Sequence, residues 1–268
     1  MLNHLAALSR NNLRAILRDR TLYAVLAVAF FILVLVPSMS TFSMRQVQEL
    51  AISISLSASS FVLLIVSLLL GSSSIWKDVE RRYLASVLTL PVSRVNYLLA
   101  KFISIGLFLV VCSAVLGLVS AIVVKLAATQ YPSDIPVSWS LFVLALAGDA
   151  VKFILLSSVA ILLSSVSTSF FLPFFGTIAI YLTGSASQEV YEYVVSQAGQ
   201  DLSASTLAVA KGAYYLLPNF AAFDFKVQAV YALDVSMSSI LYPLVYSIIY
   251  IGLVLSLASW AFNRRQLS

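Results

Sequence analysis

Charge is what this sequence has least of. Asp, Glu, Lys and Arg make up only 10% of its 268 residues, against about 25% in an ordinary soluble domain, while 61% are hydrophobic. A water-soluble fold cannot hide that much apolar surface. No stretch is polar enough to form a soluble domain, so residues 1–268 read as a single membrane domain. The one cysteine, Cys112, lies in an apolar run, which excludes a disulfide framework or a cysteine metal cluster. The one histidine is His4, so there is no His-Glu-x-x-His zinc site, and no Gly-x-Ser-x-Gly elbow occurs either. The nine glycines contain no Gly-x-x-x-x-Gly-Lys-Ser/Thr phosphate loop. An intramembrane aspartyl protease needs two facing aspartates, and only Asp149 lies clearly inside an apolar run. The sequence thus reads as no enzyme, with no catalytic residues and no metal site. Its net charge of +5 comes from Lys and Arg beside apolar runs, not from a basic patch with interleaved aromatics, so it points to topology and not to nucleic acid.

What is present is apolar length. A bilayer core about 30 Å thick takes roughly 20 apolar residues of helix, because unpaired backbone groups are not tolerated in hydrocarbon. Four uncharged stretches meet this singly: Thr21–Met44, Leu50–Trp76, Phe102–Val124 and Val235–Phe262. Trp139–Gln188 is apolar apart from Asp149 and Lys152 and is long enough for two crossings, so a turn must interrupt it. The run from Ser164 to Ser169, followed by Pro173, is its most polar and least helix-favouring part and is where a tight hairpin is expected. The expected architecture is an all-α polytopic membrane protein with six transmembrane helices. The first stretch follows basic residues as a secretory signal does, but it is long, lacks a small-residue cleavage site and precedes further spans, so it reads as a retained helix.

Lys and Arg set the orientation. Arg10, Arg14, Arg18 and Arg20 precede the first span, Lys77, Arg81, Arg82, Arg94 and Lys101 lie between the second and third, and Arg264 and Arg265 follow the last. These segments share one side, which places both termini in the cytoplasm. The other side has only Arg45, Lys125, Lys211 and Lys226, the last two in a long loop, 185–235, that also carries Glu189, Glu192, Asp201, Asp224 and Asp234. That loop holds more apolar residues than a free loop needs and is expected to be partly helical. Residues 1–20 form an amphipathic interfacial helix, with Leu5, Leu8, Leu13, Ile16 and Leu17 on one side and Arg10, Arg14 and Arg18 opposite. No internal repeat is visible, so the inverted-repeat signature of secondary transporters is missing.

The connection 77–94 is charged first and then apolar. Tyr83, Leu84, Val87 and Leu88 fall at helical spacing and Pro91 closes the segment, as in a short surface helix with one face at the membrane boundary. Asp78, Glu80, Arg81 and Arg82 are expected to face the cytoplasm.

The spacing of Glu80, Leu84, Val87, Leu88, Leu90, Pro91, Ser93, Arg94, Tyr97 and Lys101 resembles the permeases of the ABC-2 class of ABC transporters, especially the small six-span ones that include the copper-enzyme maturation permeases. Arg82 and Tyr83 stand where that family prefers Gly-Thr. A second stretch, Tyr214 to Lys226, is similar to a Leu-Pro-Asn segment before the last span of some of these permeases. The resemblance implies a permease subunit of an exporter in the inner (plasma) membrane, working as a homodimer or with a related permease. It implies two ABC ATPase subunits bound through the helix between spans two and three, with Asp78, Glu80, Arg81, Arg82, Leu84, Pro91 and Arg94 at the interface, and with ATP and Mg held by that partner and no cofactor in this chain. A channel or scaffold without ATP coupling is the rival reading. The substrate is not legible beyond a lean toward amphipathic, lipid-like cargo.

Asp149 and Lys152 are one helical turn apart, and ionisable groups inside a span mark either a pathway or a buried partner. They are read as a polar gate on the translocation path or as an i,i+3 ion pair at a helix interface. The many serines of the spans, such as Ser53, Ser55, Ser57, Ser59 and Ser60, suit close helix packing.

Overall fold

The computed structural model describes residues 2–40, 46–80, 93–130, 136–196 and 203–264. Among them all regular structure is helical: α1 (Leu2–Ile16), α2 (Arg20–Ser40), α3 (Val47–Glu80), α4 (Arg94–Gln130), α5 (Trp139–Val166), α6 (Phe171–Val195), α7 (Ala204–Leu216), a 3-10 turn (Ala221–Phe223), α8 (Lys226–Tyr231) and α9 (Met237–Arg264). Five of these, α2, α3, α4, α5 and α9, are long and apolar enough to cross a membrane. α6 has the length, with 25 residues, but Thr183, Ser185, Ser187, Gln188, Glu189 and Glu192 make its second half polar. The sixth expected span is therefore not among the apolar ones. At about 1.5 Å per residue, α3 and α4, with 34 and 37 residues, exceed what a ~30 Å hydrocarbon core requires. The surplus carries Lys77–Glu80 and Arg94–Lys101 past the apolar stretch as continuous helix.

Small side chains set the packing. α3 crosses α5 so closely that a Cβ on Gly71 would lie 2.5 Å from the Ala160 Cβ and 3.4 Å from the Ser157 carbonyl oxygen. Without a hydrophobic force between helices in lipid, such close approach is what supplies dispersion energy. The α3 and α4 hydroxyls of Ser59 and Ser120 meet at 3.1 Å, and Ser113 of α4 donates to the Leu146 carbonyl of α5 at 3.1 Å. α2 lays Leu22, Ala29, Leu33 and Val36 on the bundle at helical spacing, all buried, and leaves Phe30, Phe31 and Val34 exposed. On the far side α9 likewise exposes Ile248, Ile249 and Leu253. Rims of this kind are normal where hydrocarbon replaces water as solvent.

α5 stops at Val166 and α6 begins at Phe171. Ser167 closes the turn by donating its hydroxyl to the Ser169 carbonyl at 2.7 Å and accepting from the Ser169 amide at 3.1 Å. The hairpin falls where the serine run predicts it, except that Ser164 and Ser165 stay helical. Ser164 has a partner on another helix: its hydroxyl donates to the Ser72 carbonyl at 2.9 Å and accepts from the Ile75 and Trp76 amides at 3.3 and 3.2 Å. The amphipathic α1 packs Leu13 and Ile16 against the core and exposes Arg10 and Arg14. Ser104 of α4 donates to its Ser9 carbonyl at 3.0 Å, so α1 is docked on the bundle as well as amphipathic.

Residues 185–195, the start of the expected partly helical loop 185–235, are continuous with α6. The later part of that loop folds back into the bundle. A Cβ on Gly148 of α5 would lie 2.5 Å from the Phe223 carbonyl oxygen, and one on Gly184 of α6 would run into the Pro218 carbonyl and the Phe220 ring. Phe220, Phe223 and Phe225 are buried. Irregular backbone at such depth is tolerated only where protein covers it, and here it is stapled. Asn219 donates from Nδ2 to Gln188 Oε1 at 3.0 Å, accepts at Oδ1 from the Ala222 amide at 3.3 Å, and donates its own amide to the Tyr246 hydroxyl at 3.2 Å.

Candidate functional site

The end of the bundle that carries the Lys and Arg excess is knit by charge. Asp78, in the last turn of α3, receives the Lys101 ammonium of α4 at 2.6 Å and a short hydrogen bond from the Tyr97 hydroxyl. Tyr97 is buried and its ring stacks on Phe262 of α9, centroids 6.3 Å apart. Arg94 donates to the carbonyls of Phe262 and Asn263, both at 3.2 Å, with its guanidinium 6.0 Å from the Phe262 ring. It therefore serves the carbonyl end of α9, where a cation suits the helix dipole. Lys77 reaches back 3.2 Å to Asp19 at the α1–α2 elbow. The ends of α2, α3, α4 and α9 thus form one braced base.

Two of the expected interface residues are engaged within the chain. The sequence predicts Asp78 free toward the cytoplasm, but Lys101 and Tyr97 already occupy its carboxylate. Arg94 holds a helix end instead of standing free. Glu80, the final residue of α3, is exposed. Arg81, Arg82, Leu84 and Pro91 lie outside the described residues. Tyr97 and Lys101 belong to the spacing pattern that the sequence displays, but their shared partner is invisible there, since Asp78 lies 19 residues before Tyr97.

Toward the other end, Lys152 Nζ lies 2.5 Å from Asp149 Oδ1, with both side chains almost wholly buried. Asp149 follows Trp139 by about 15 Å along α5 at ~1.5 Å per residue. Oδ2 of Asp149 has no partner among the described residues, so the pair is held by charge more than by an array of hydrogen bonds. Lys152 also borders a cavity of about 590 Å³ shared with Ser57, Tyr181, Glu189, Asp224 and Lys226. Asp224 and Lys226 pair across 3.6 Å. The expected i,i+3 ion pair is formed, and its lysine is a buried residue at the edge of that cavity. Among the described residues no group of three or more His, Cys, Asp or Glu side chains is placed to hold a metal.

A bundle of apolar helices, a docked amphipathic α1, a charged base joining the second and third long helices, and a folded-in segment before the last helix are now in place. The chain matches the family described as ABC-2 family transporter protein over residues 6–267. It belongs to that family. The match runs from within α1 to beyond the end of α9. No curated protein matches the chain significantly. As an ABC-2 permease it is an integral membrane protein and the membrane component of a transporter. Within that frame the braced base, at the end of α3, and the Lys152 cavity, midway along α5, are its two candidate functional regions.

Proposed function

We propose that this permease is the transmembrane subunit of an ATP-driven exporter in the inner (plasma) membrane. It works as a homodimer or with a related permease, driven by two copies of a separate ABC ATPase that bind the ATP and Mg. In this reading α6 completes six crossings, and both chain ends and the 81–93 connection lie in the cytoplasm, as the Lys and Arg bias requires. The observation that carries the proposal is the brace of Asp78 by Lys101 and Tyr97. It fastens the end of α3 to the start of α4, so a displacement of the connection between them moves both helices instead of dissipating in a loose loop. Close-packed contacts pass such displacements on as whole-element shifts. α3 rests on α5 at Gly71, and α5 carries Lys152 at the cavity, so the push reaches the polar region. Mixed charges and the aromatic walls of Tyr181 and Phe220 suit an amphipathic cargo.

Affinity purification from native membranes should bring down an ABC ATPase, and the reconstituted complex should move its cargo only when nucleotide reaches the face bearing both termini. A permease that comes down alone and passes solutes without nucleotide would be a channel or scaffold.

A further inference from the structure

Where α1 turns into α2, the bundle leaves a cavity of about 620 Å³. Its lining carries four basic side chains, Arg18, Arg20, Lys77 and Lys101, against two acidic ones, Asp19 and Asp78. Both acids are already engaged, Asp19 by Lys77 at 3.2 Å and Asp78 by Lys101 at 2.6 Å. Arg18 and Arg20 have no carboxylate partner among the described residues. Asn12 of α1 lines the same space, and its Nδ2 is buried without an acceptor. A buried amide donor without a partner is rare and calls for one. Everything unmatched in this cavity is a donor or a positive charge. Ala15, Ile16, Leu70 and Ile105 give it an apolar wall, beside Ser73 and Ser74, whose hydroxyls donate to carbonyls of their own helix.

We propose that this cavity binds a phosphate-bearing anion, with Arg18, Arg20 and Asn12 on the phosphate oxygens. Guanidinium groups hold phosphate by charge-assisted, often bidentate hydrogen bonds, and the Asn12 amide gains its missing acceptor. The apolar wall suits the glycerol and first methylenes of an anionic phospholipid entering from the adjoining leaflet, and a free phosphate compound would use the same donors. The site stands on the α1–α2 elbow and shares Asp78 and Lys101 with the brace at the end of α3.

The test uses the purified full-length permease in mild detergent, with phosphatidylglycerol, phosphatidylcholine or inorganic phosphate added as separate probes. Thermal unfolding and lipid phosphorus retained per chain are read together. Wild type should keep about one phosphatidylglycerol per chain through delipidation and be stabilised by it more than by phosphatidylcholine. Arg18→Gln with Arg20→Gln should weaken that binding about tenfold or more, as loss of charged hydrogen bonds implies. Asn12→Ala should weaken it less, with both arginines intact. Arg10→Gln with Arg14→Gln removes the same charge outside the cavity and should change nothing. Stabilisation by inorganic phosphate without lipid retention assigns the site to a soluble phosphate compound. No stabilisation by any probe, or equal losses from the two arginine pairs, overturns the proposal.

Discussion

Lys152 Nζ stands 2.5 Å from Asp149 Oδ1 on the same face of α5, with the two side chains 4% and 2% exposed. Each charge makes the other tolerable in an apolar setting. Removing one should therefore cost more than removing both. Asp149→Asn and Lys152→Met are each expected to lower stability by about 3 kcal/mol, and the double variant should recover part of that loss. Thermal unfolding of the four proteins in one detergent measures the coupling. Strict additivity would mean that the two charges act as separate sites.

The Gly71–Ala160 crossing makes a sharper structural forecast. A Cβ added to Gly71 would stand only 2.5 Å from the Ala160 Cβ, so Gly71→Ala should force α3 and α5 apart at a cost of about 1–3 kcal/mol. Gly71→Ala combined with Ala160→Gly moves the methyl group to the other helix and should restore most of the stability. A Gly71→Ala protein as stable as wild type would show that the helices are not in contact there.

Much of this arrangement is legible in the sequence. Apolar length locates α2, α3, α4, α5 and α9, because backbone satisfaction in hydrocarbon ties span to length. The serine run locates the α5–α6 turn, and the i,i+3 spacing of Asp149 and Lys152 is their pairing geometry. Relations between distant residues are not legible. Ser164 reads as a turn residue until α3 presents Ser72 to it, 92 positions away. Asp78 and Arg94 read as free charges until Lys101, Tyr97 and the end of α9 meet them. Gly148 and Gly184 carry no local sign that Phe223 and Pro218 will rest on them. The polar second half of α6 makes its crossing ambiguous by composition, since Asn219 satisfies Gln188 only in the folded chain.

The crossing by α6 is open to direct labelling. With Cys112 replaced by Ala, single cysteines at Ser169 and Ser196 flank α6. Ser169→Cys should react with a membrane-impermeant maleimide only from the cytoplasmic face, and Ser196→Cys only from the opposite face. Both reacting from one face would place α6 as a surface helix and leave five crossings.

In the proposed assembly the end of α3 and the connection after it meet a separate ATPase. Glu80 is the exposed last residue of α3, directly beyond the Asp78–Lys101 brace. The most direct measurement is site-specific cross-linking in native membranes from Glu80→Cys in the Cys112→Ala background, with Ser203→Cys, exposed before α7, as the control. A cross-linked species with the mass of permease plus ATPase should form from position 80, be lost when Glu80 is left intact, and not form from position 203. An ATPase cross-link from position 203, or an assembled complex in which position 80 never cross-links, would contradict that assembly.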